Sequence, residues 1–474
     1  MKKYIYIILV IVVFITSCKD DFIDLNPLAQ VTSSNFYRTV SDFNLAALGI
    51  YEGLQDKNFV ESYFVLGELI TENVIINAPI GGSSDNAYQI NEFRVLPFNT
   101  HLQTMWQQSY NVIARANTLL ARSEAIDLQS DFQRQYEGEA YFLRAFAHFN
   151  LVRIFGDVPL VLSEISPAQA FEIRRTPASQ VYDQIISDLL RAEELLPNSY
   201  QGSNVGRATT WAAKALLGKV YLSKPTKEPA RAIEKFNQIS SGGFFLLNDF
   251  ADVFNPANAN NVESIFEIQF KSGLGTQGSP FADLLTPNNR LVNQLYPSGT
   301  ATNGQGRGVV TQELVSKFNV EDRRFTASIG EHSNQSGPIF FQKKFNAPSS
   351  IFRDGDDNLI ILRYADVLLM LAEAHNELND NAKFSFINQV RQRAGLSNIT
   401  VTDLPTQQAF KSALLLERQL EFSFEVHRWF DLVRLGEAVN VLGPLGLQPH
   451  MLIYPIPQRE IDVSDGLITQ NPNY

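Results

Sequence analysis

Residues 217–221 read Leu-Gly-Lys-Val-Tyr and residues 232–236 read Ala-Ile-Glu-Lys-Phe, with a turn through residues 224–229 between them. In a tetratricopeptide repeat the first helix carries L-G-x-x-Y and the second helix carries A-x3-F. The glycine lets the two helices approach closely, while Tyr221 and Phe236 fill the space between helix layers. This stretch therefore predicts a helix-turn-helix pair that stacks against similar pairs.

Further helices are expected on both sides of this pair. Residues 364–374 and 382–393 repeat the second-helix spacing across a polar turn. Apolar residues recur at three- and four-residue steps in 132–154 and again in 181–196, as on one face of a helix. The sequence predicts an all-α dominated fold built from several degenerate helix pairs.

Two stretches interrupt this helical pattern. Between residues 242 and 358 Gly, Pro, Asn and Ser accumulate, with short β-like runs at 264–270 and 339–345. A second stretch of this kind covers residues 77–100. Long ordered loops on a rigid frame are commonly the parts that bind ligands. We therefore expect a loop-rich insertion with minor β structure, and a ligand that meets both stretches.

The amino terminus has the three-part layout of a secretory signal. Lys2 and Lys3 precede an apolar run over residues 4–15, which is shorter than the roughly 20 residues of a membrane-spanning helix. Cys18 follows after Thr16 and Ser17 and is the single cysteine of the chain. In an oxidising compartment a lone cysteine at this position is better explained as a lipidation site than as a structural residue. We predict a signal peptide at 1–17 and a lipid anchor on Cys18.

The composition is that of a large globular protein. The 474 residues are 45% hydrophobic and carry a formal net charge of −11. Nucleic acid is not expected as a partner, because binding phosphates requires a basic face and none is visible. The charge fits a soluble protein with a neutral or weakly charged ligand.

Sequence signals for catalysis are weak. The six histidines form no i, i+4 pair, and no H-E-x-x-H, G-x-S-x-G or phosphate-loop motif occurs. Residues 303–308 are glycine-rich, but they lack the strand before and the lysine after that a phosphate cradle needs, so they predict a turn. We expect no cofactor and no metal.

Three carboxylates are the best argument for an enzyme. Glu417, Glu421 and Glu425 follow one another at four-residue steps, and glycosidases use a pair of carboxylates about 5 to 10 Å apart. On one helix face, however, such groups lie side by side and do not face each other across a sugar. Arg418 and Arg428 are interleaved with them as ion-pair partners. The pattern therefore favours a stabilising ion-pair network.

Several motifs, taken in order, resemble a known family. They read CKDDFIDLNP at 18–27, GEAYFLRAFAHF at 138–149 with GDVPL at 156–160, RYADVLL at 363–369, ERQLEFSFE at 417–425 and QNPNY at 470–474. In this order and spacing they are similar to the SusD/RagB group of outer-membrane lipoproteins from Bacteroidetes. The resemblance covers almost the whole chain.

The resemblance implies four tetratricopeptide-like helix pairs carrying a ligand-binding face of inserted loops. It implies an N-terminal region over residues 18–240 and a C-terminal SusD/RagB region over 241–474, which includes the insertion. Members of the family cap a SusC-like TonB-dependent barrel as a hinged lid. Acidic residues after Cys18 resemble the family's surface-export signal, so the anchor is expected in the outer leaflet of the outer membrane. Most members bind glycans, whereas a RagB-like branch binds peptides.

The family motifs near the carboxyl terminus are interpreted as structural. Glu421, Glu425, Arg428 and Asp431 are expected to clamp the last helices to the core. Ligand specificity must then come from other residues.

Candidate ligand-binding residues lie in and beside the two loops. Sugars are bound by flat aromatic faces together with amide and guanidinium donors. Trp106 is expected in the core, because it is in phase with Tyr110 and Ile113. The residues predicted to bind ligand are Asn73, which resembles a polar position near the family's site, and Tyr88, Asn91, Phe93, Arg290 and Tyr296; Phe98 belongs to the same set of loop aromatics.

Three functions from different classes stay open at this point. A lid that captures a glycan for a SusC-like transporter leads, and a lid that captures peptides is the alternative. A surface glycosidase is a distant third. The first predicts sugar binding without product, the second predicts peptide binding, and the third predicts turnover that a single glutamate substitution abolishes.

Overall fold

The computed structural model describes residues 36–76, 82–124, 130–274, 277–285, 306–334, 337–345, 347 and 351–474. The predicted signal peptide and Cys18 lie outside this part of the chain. Among the described residues, none of the helices combines the length and the apolar character that crossing a membrane requires.

Helices dominate the fold, as predicted. The longer ones are α1 (Val40–Leu54), α2 (Lys57–Phe64), α3 (Thr100–Ser123), α4 (Ser130–Phe155), α5 (Ala178–Leu195), α6 (Thr210–Ser223), α7 (Pro229–Ile239), α8 (Tyr364–Glu377), α9 (Lys383–Arg393), α10 (Gln407–Phe422) and α11 (Arg428–Arg434). Shorter helices cover Asn86–Asn91, Pro167–Ala170, Phe281–Leu285, Gln312–Lys317, Arg324–Ser328, Ala438–Leu442 and Gln458–Val463. A π-helical turn, Val65–Leu69, continues α2.

The predicted pair at the centre of the chain is α6 and α7. Helix α6 begins where the Thr209 hydroxyl accepts the Ala212 amide, and α7 begins at Pro229, whose fixed φ suits a first helical turn. Gly218 lies directly against the ring of Phe236: a Cβ atom at this position would be 2.5 Å from Phe236 Cε1. The close approach expected from the L-G-x-x-Y motif is therefore present.

Four helix pairs can be followed through the chain. They are α1 with α3, α4 with α5, α6 with α7, and α8 with α9, and each pair packs on the next through α3 and α4, α5 and α6, and α7 and α8. Apolar faces of these helices merge into one large buried core. The predicted fold class, tetratricopeptide-like helix pairs with a minor-β insertion, is confirmed.

The insertion supplies most of the β structure. The strands are β1 (Val74–Ile75), β2 (Ser264–Ile268), β3 (Val309–Val310), β4 (Ile329–Asn334), β5 (Gly337–Gln342) and β6 (Leu359–Arg363). They form an antiparallel sheet in the order β1-β3-β5-β4 and a two-stranded sheet of β2 and β6. The β-like runs predicted at 264–270 and 339–345 correspond to β2 and to part of β5. Val74 pairs with Val310, so the sheet ties the start of the first loop to the second.

Trp106 belongs to the core, as predicted. Its ring packs edge-on against Phe155 at a centroid distance of 5.2 Å and tilts against Tyr110 at the same distance. The side chain is almost completely buried.

The carboxylates on α10 form an ion-pair network, but with partners other than those predicted. Arg324 Nη1 donates to Glu417 at 2.6 Å and to Glu421 at 3.2 Å, and Arg363 Nη1 donates to Glu421 at 2.6 Å. Helix α10 ends at Phe422, so Glu425 lies beyond the helix, where its carboxylate accepts hydrogen bonds from Arg363.

The arginines interleaved with these carboxylates turn to other partners. Arg418, one residue from Glu417 and hence on another side of the helix, donates to Asp431 and Asp366 at 2.8 Å each. Arg428 binds Glu72. The predicted pairing of Arg418 and Arg428 with the three glutamates is therefore wrong. The predicted clamp is confirmed, because its members are buried and their ion pairs tie the last helices to each other and, through Glu421, Glu425 and Arg428, to earlier elements.

Candidate ligand-binding cleft

A polar cleft of about 490 Å³ opens at the start of α3, beside the two loops that the sequence analysis selected. Its walls come from α2, from the turn that begins the Asn86–Asn91 helix, from the first turns of α3 and from the residue two positions before β3. The lining residues are Asn58, Glu61, Ser62, Ser84, Asp85, Asn86, Thr100, His101, Thr104 and Arg307.

Side-chain caps fix the two helix starts that border the cleft. Asn99 caps α3 by accepting the His101 amide at 3.0 Å, and its own side-chain amide donates to the Asn86 carbonyl at 2.8 Å. Asp85 caps the short helix by accepting the Ala87 and Tyr88 amides. Each helix start is thus fixed by the residue directly before it, and the Asn99 side chain also links the two starts to each other.

Ion pairs hold the charged groups of the cleft. Arg307 Nη1 donates to both carboxylate oxygens of Asp85, at 3.0 and 3.2 Å, and Arg307 Nε lies 3.7 Å from Glu61 Oε1. Arg353 binds the other oxygen of Glu61 at 3.1 Å. Two carboxylates and two guanidinium groups therefore neutralise one another at this wall.

His101 adds a neutral group to the floor. Its Nδ1 lies 3.1 Å from the Ser62 hydroxyl. Burial, helped by the positive charge of Arg307, lowers the pKa of His101 to about 4. The imidazole is therefore uncharged at neutral pH and can exchange hydrogen bonds with a hydroxylated ligand.

Two of the predicted ligand-binding residues hold the first loop in place. Asn73 is fully buried, donates to Glu68 Oε1 at 2.8 Å and accepts from Gln419 Nε2 at 2.7 Å. The side-chain amide of Asn91 donates to the Leu69 and Val74 carbonyls. Both amides are used within the protein, so these contacts give Asn73 and Asn91 a structural role, and ligand contact by either stays a prediction.

The aromatic side chains among the remaining predicted residues differ in how exposed they are. Tyr88 is half-buried with Arg94 over its ring at 5.5 Å, whereas Phe93 is buried at a positive φ of 52°. Arg290 and Tyr296 lie outside the described residues, so their role stays a prediction. Phe98, two residues before the cleft-lining Thr100, exposes 75% of its surface.

Sequence reasoning missed the residues that line the cleft. Arg307 belongs to the glycine-rich stretch 303–308 that was interpreted as a turn, and it was the single charged residue there. Asp85 and Asn99 each stand directly before a helix, so a search for helix caps inside the first loop would have found them.

A second cavity of about 610 Å³ lies between α1, the turn at residues 203–207 and β2. Gln55 donates to the Gln269 carbonyl at 2.5 Å, and the side chains of Gln269 and Asn260 donate to each other. These polar groups are therefore already hydrogen-bonded to other groups of the protein. Among the described residues, this cavity shares no lining residue with the cleft beside the two predicted loops. The cleft is smaller, but it is the better candidate for the ligand-binding site.

The described part of the chain contains no group of three or more His, Cys, Asp or Glu side chains placed to hold a metal ion. The two carboxylates of the cleft, on Glu61 and Asp85, both bind arginines. The arrangement suits binding through hydrogen bonds.

Comparison with known proteins decides the family. Residues 32–222 match a family model described as starch-binding and associating with the outer membrane, and residues 326–446 match the SusD family model. The chain belongs to the SusD/RagB family. A relative in this family, SusD-like protein P2 of Formosa agariphila, is 26% identical over 519 residues that cover 100% of each chain.

Solved structures of the SusD/RagB family share this architecture. A laminarin-binding SusD-like protein is 25% identical, with a TM-score of 0.80 over 92% of this chain and 100% of the other. Surface glycan-binding protein A from Bacteroides thetaiotaomicron, in complex with laminarihexaose, is 22% identical, with a TM-score of 0.79 over 92% of this chain and 100% of that one. The family resemblance and the fold class inferred from the sequence are therefore confirmed.

Proposed function

We propose that this SusD/RagB-family protein is a cell-surface lipoprotein that captures a nutrient glycan and delivers it to a SusC-like TonB-dependent transporter, acting as its lid. Cys18 carries the lipid anchor after removal of residues 1–17, and the anchor lies in the outer leaflet of the outer membrane. The protein binds its ligand and does not cleave it. The division into regions 18–240 and 241–474 belongs to the same proposal.

One observation carries the proposal. The cleft is lined mainly by hydroxyl and amide groups, from residues such as Asn58, Asn86 and Thr100, and its carboxylates are bound to arginines. Sugar hydroxyls both donate and accept hydrogen bonds, as these side chains do. A glycosidase needs two carboxyl groups free to act on the scissile bond, and Glu61 and Asp85 are not free.

Two further observations support glycan as the ligand class. Phe98 is a highly exposed aromatic ring near the start of α3, and exposed aromatic rings are the usual platform for sugar C–H groups. Two structurally similar proteins are described as binding laminarin or laminarihexaose.

Affinity electrophoresis of residues 19–474 against soluble polysaccharides and peptide pools tests the proposal, with product analysis of every incubation. We expect retardation by a glycan and no new reducing ends. Thr104→Trp fills the cleft and should abolish the retardation. Ala114→Trp, on the exposed side of the same helix, should leave it unchanged.

The alternatives give different results in the same experiment. Binding confined to peptides would place the protein with the RagB-like branch. Turnover of a glycan would contradict the proposal and favour the glycosidase.

A further inference from the structure

We infer that the cleft selects uncharged glycans and rejects glycans that carry carboxylate or sulfate groups. This inference rests on the proposed function, because it names the ligand class of the same cleft. It follows from how the guanidinium groups of Arg307 and Arg353 are already paired with the two carboxylates of the cleft.

Arg307 is the charged group that an anionic sugar would be expected to reach. Recognition of a carboxylate or sulfate by arginine uses the N–H fork, which binds two oxygens at once. In this protein Arg307 Nη1 donates to both oxygens of Asp85, and Arg307 Nε faces Glu61. Only 14% of the Arg307 side chain is exposed, so the guanidinium has little freedom to turn toward a ligand.

A second guanidinium, on Arg353, does not line the cleft itself but pairs with the lining residue Glu61. Arg353 Nη2 lies 3.1 Å from Glu61 Oε2 and donates to the Lys57 carbonyl at 2.7 Å. Lys57 itself lies 3.9 Å from Asp354. Among the described residues, an anion that entered the cleft would therefore meet Glu61 and Asp85 without a positive charge in excess.

The other described lining residues carry no compensating charge. His101 is neutral at pH 7 because its pKa is about 4. Asn58, Asn86, Thr100 and Thr104 are uncharged donors and acceptors suited to hydroxyl groups. The described walls thus favour a neutral polyhydroxylated chain.

The test compares two groups of polysaccharides in affinity gels at pH 7. Laminarin, starch, mannan and arabinan form the neutral group; alginate, polygalacturonate and carrageenan form the anionic group. We expect wild-type protein to be retarded by a member of the neutral group and by none of the anionic polymers, with affinities at least about tenfold apart.

Charge-neutralising variants connect this selectivity to the ion pairs. Asp85→Asn releases the fork of Arg307 but keeps an oxygen that accepts the Ala87 and Tyr88 amides, since asparagine caps helices as well as aspartate does. Glu61→Gln releases Arg353 in the same manner. Both variants should gain retardation by the anionic group. Asp183→Asn, an exposed residue on α5, makes the same change in net charge and should not.

The outcomes separate the two claims. Retardation of wild-type protein by an anionic polysaccharide, equal to or stronger than that by every neutral one, would overturn the selectivity and leave glycan capture intact. Absence of retardation by any polysaccharide would overturn glycan capture itself. Unchanged selectivity in both folded variants would contradict the role assigned to the ion pairs.

Discussion

Glu68 Oε1 accepts a hydrogen bond from Asn73 Nδ2 at 2.8 Å, and neither side chain reaches solvent. Glu68 stands in the π-helical turn after α2, and Asn73 directly precedes β1. The same oxygen accepts the Phe424 amide at 3.0 Å, beyond the end of α10. The pair therefore joins the helical frame to the strand from which the first loop departs.

Glu68 should make stability depend on pH. Burial raises its pKa from the ordinary 4.5 to about 7, and its second oxygen has no hydrogen-bond partner in the described structure. Between these two values the folded protein holds a proton that the unfolded chain has released. The free energy of unfolding therefore falls as pH rises from about 4.5 to 7, by about 3 kcal/mol in total.

Glu68→Gln removes this titration while keeping an oxygen for the Asn73 and Phe424 donors. Melting curves should show a variant that gains stability over wild type as pH increases from 5 to 8. Glu172→Gln, an exposed substitution, should differ from wild type by a constant amount. A Glu68→Gln difference that does not change with pH would contradict the raised pKa.

Glu421 should be essential for stability. Its carboxylate binds Arg324, Arg363 and Arg393 in the interior, and these arginines hold its pKa well below the usual range against the effect of burial. Glu421→Gln would remove one carboxylate partner from each of three buried arginines, at a cost of about 3–5 kcal/mol. Urea unfolding measures this loss.

An exposed pair provides the control for Glu421. Glu194→Gln breaks the surface contact with Arg191 and should cost less than about 1 kcal/mol. Because the pKa of Glu421 is lowered, its contribution to stability is complete at neutral pH and is lost at acid pH below its unfolded value. Equal losses in the two variants would show that the network contributes little.

Two helical glycines give a matched test of the repeat packing. A Cβ at Gly218 would meet the Phe236 ring, so Gly218→Ala should destabilise the protein by about 1–3 kcal/mol. At Gly49 no atom lies within 4 Å of the added Cβ, so Gly49→Ala should be neutral or stabilising by up to about 1 kcal/mol. Chemical denaturation of both variants is the measurement. Equal effects would mean that α6 and α7 are not in close contact.

Phe98 should contribute to affinity and not to stability. A ring that stacks on a sugar contributes about 0.5–1.5 kcal/mol, so Phe98→Ala should weaken glycan binding roughly three- to tenfold in calorimetry. Phe245→Ala removes a ring that is 55% exposed but, unlike Phe98, does not stand next to a helix start that lines the cleft, and it should leave affinity unchanged. Identical affinities of the two variants would exclude Phe98 from the site.

Local pattern was enough to predict the helix pairs. The spacing of Gly218, Tyr221 and Phe236 reflects a contact between two helices that are neighbours in the sequence. The residues on both sides of this contact lie within about 20 residues of each other, so a short motif contains them all. The β runs at 264–270 and 339–345 were also visible in the sequence. Their strand partners were not, because β6 and β3 are chosen by tertiary packing.

The cleft and the ion-pair network could not be read in this way. Glu421 has arginines at i−3 and i+7 in the sequence, yet its partners in the structure come from distant elements such as Arg324 and Arg363. The cleft brings Glu61, Asp85 and Arg307 together in the same manner. A polar residue in a loop pattern, such as Asn73, does not reveal whether it faces solvent or a buried carboxylate.

A structure of the protein with a bound oligosaccharide, using the glycan that retards it in affinity gels, tests the account most directly. We predict an intact sugar chain at the start of α3, in contact with residues such as Asn86, Thr100 and Arg307. A sugar chain in the cavity beside Gln55 and Gln269, or a cleaved product next to Glu61 and Asp85, would contradict it.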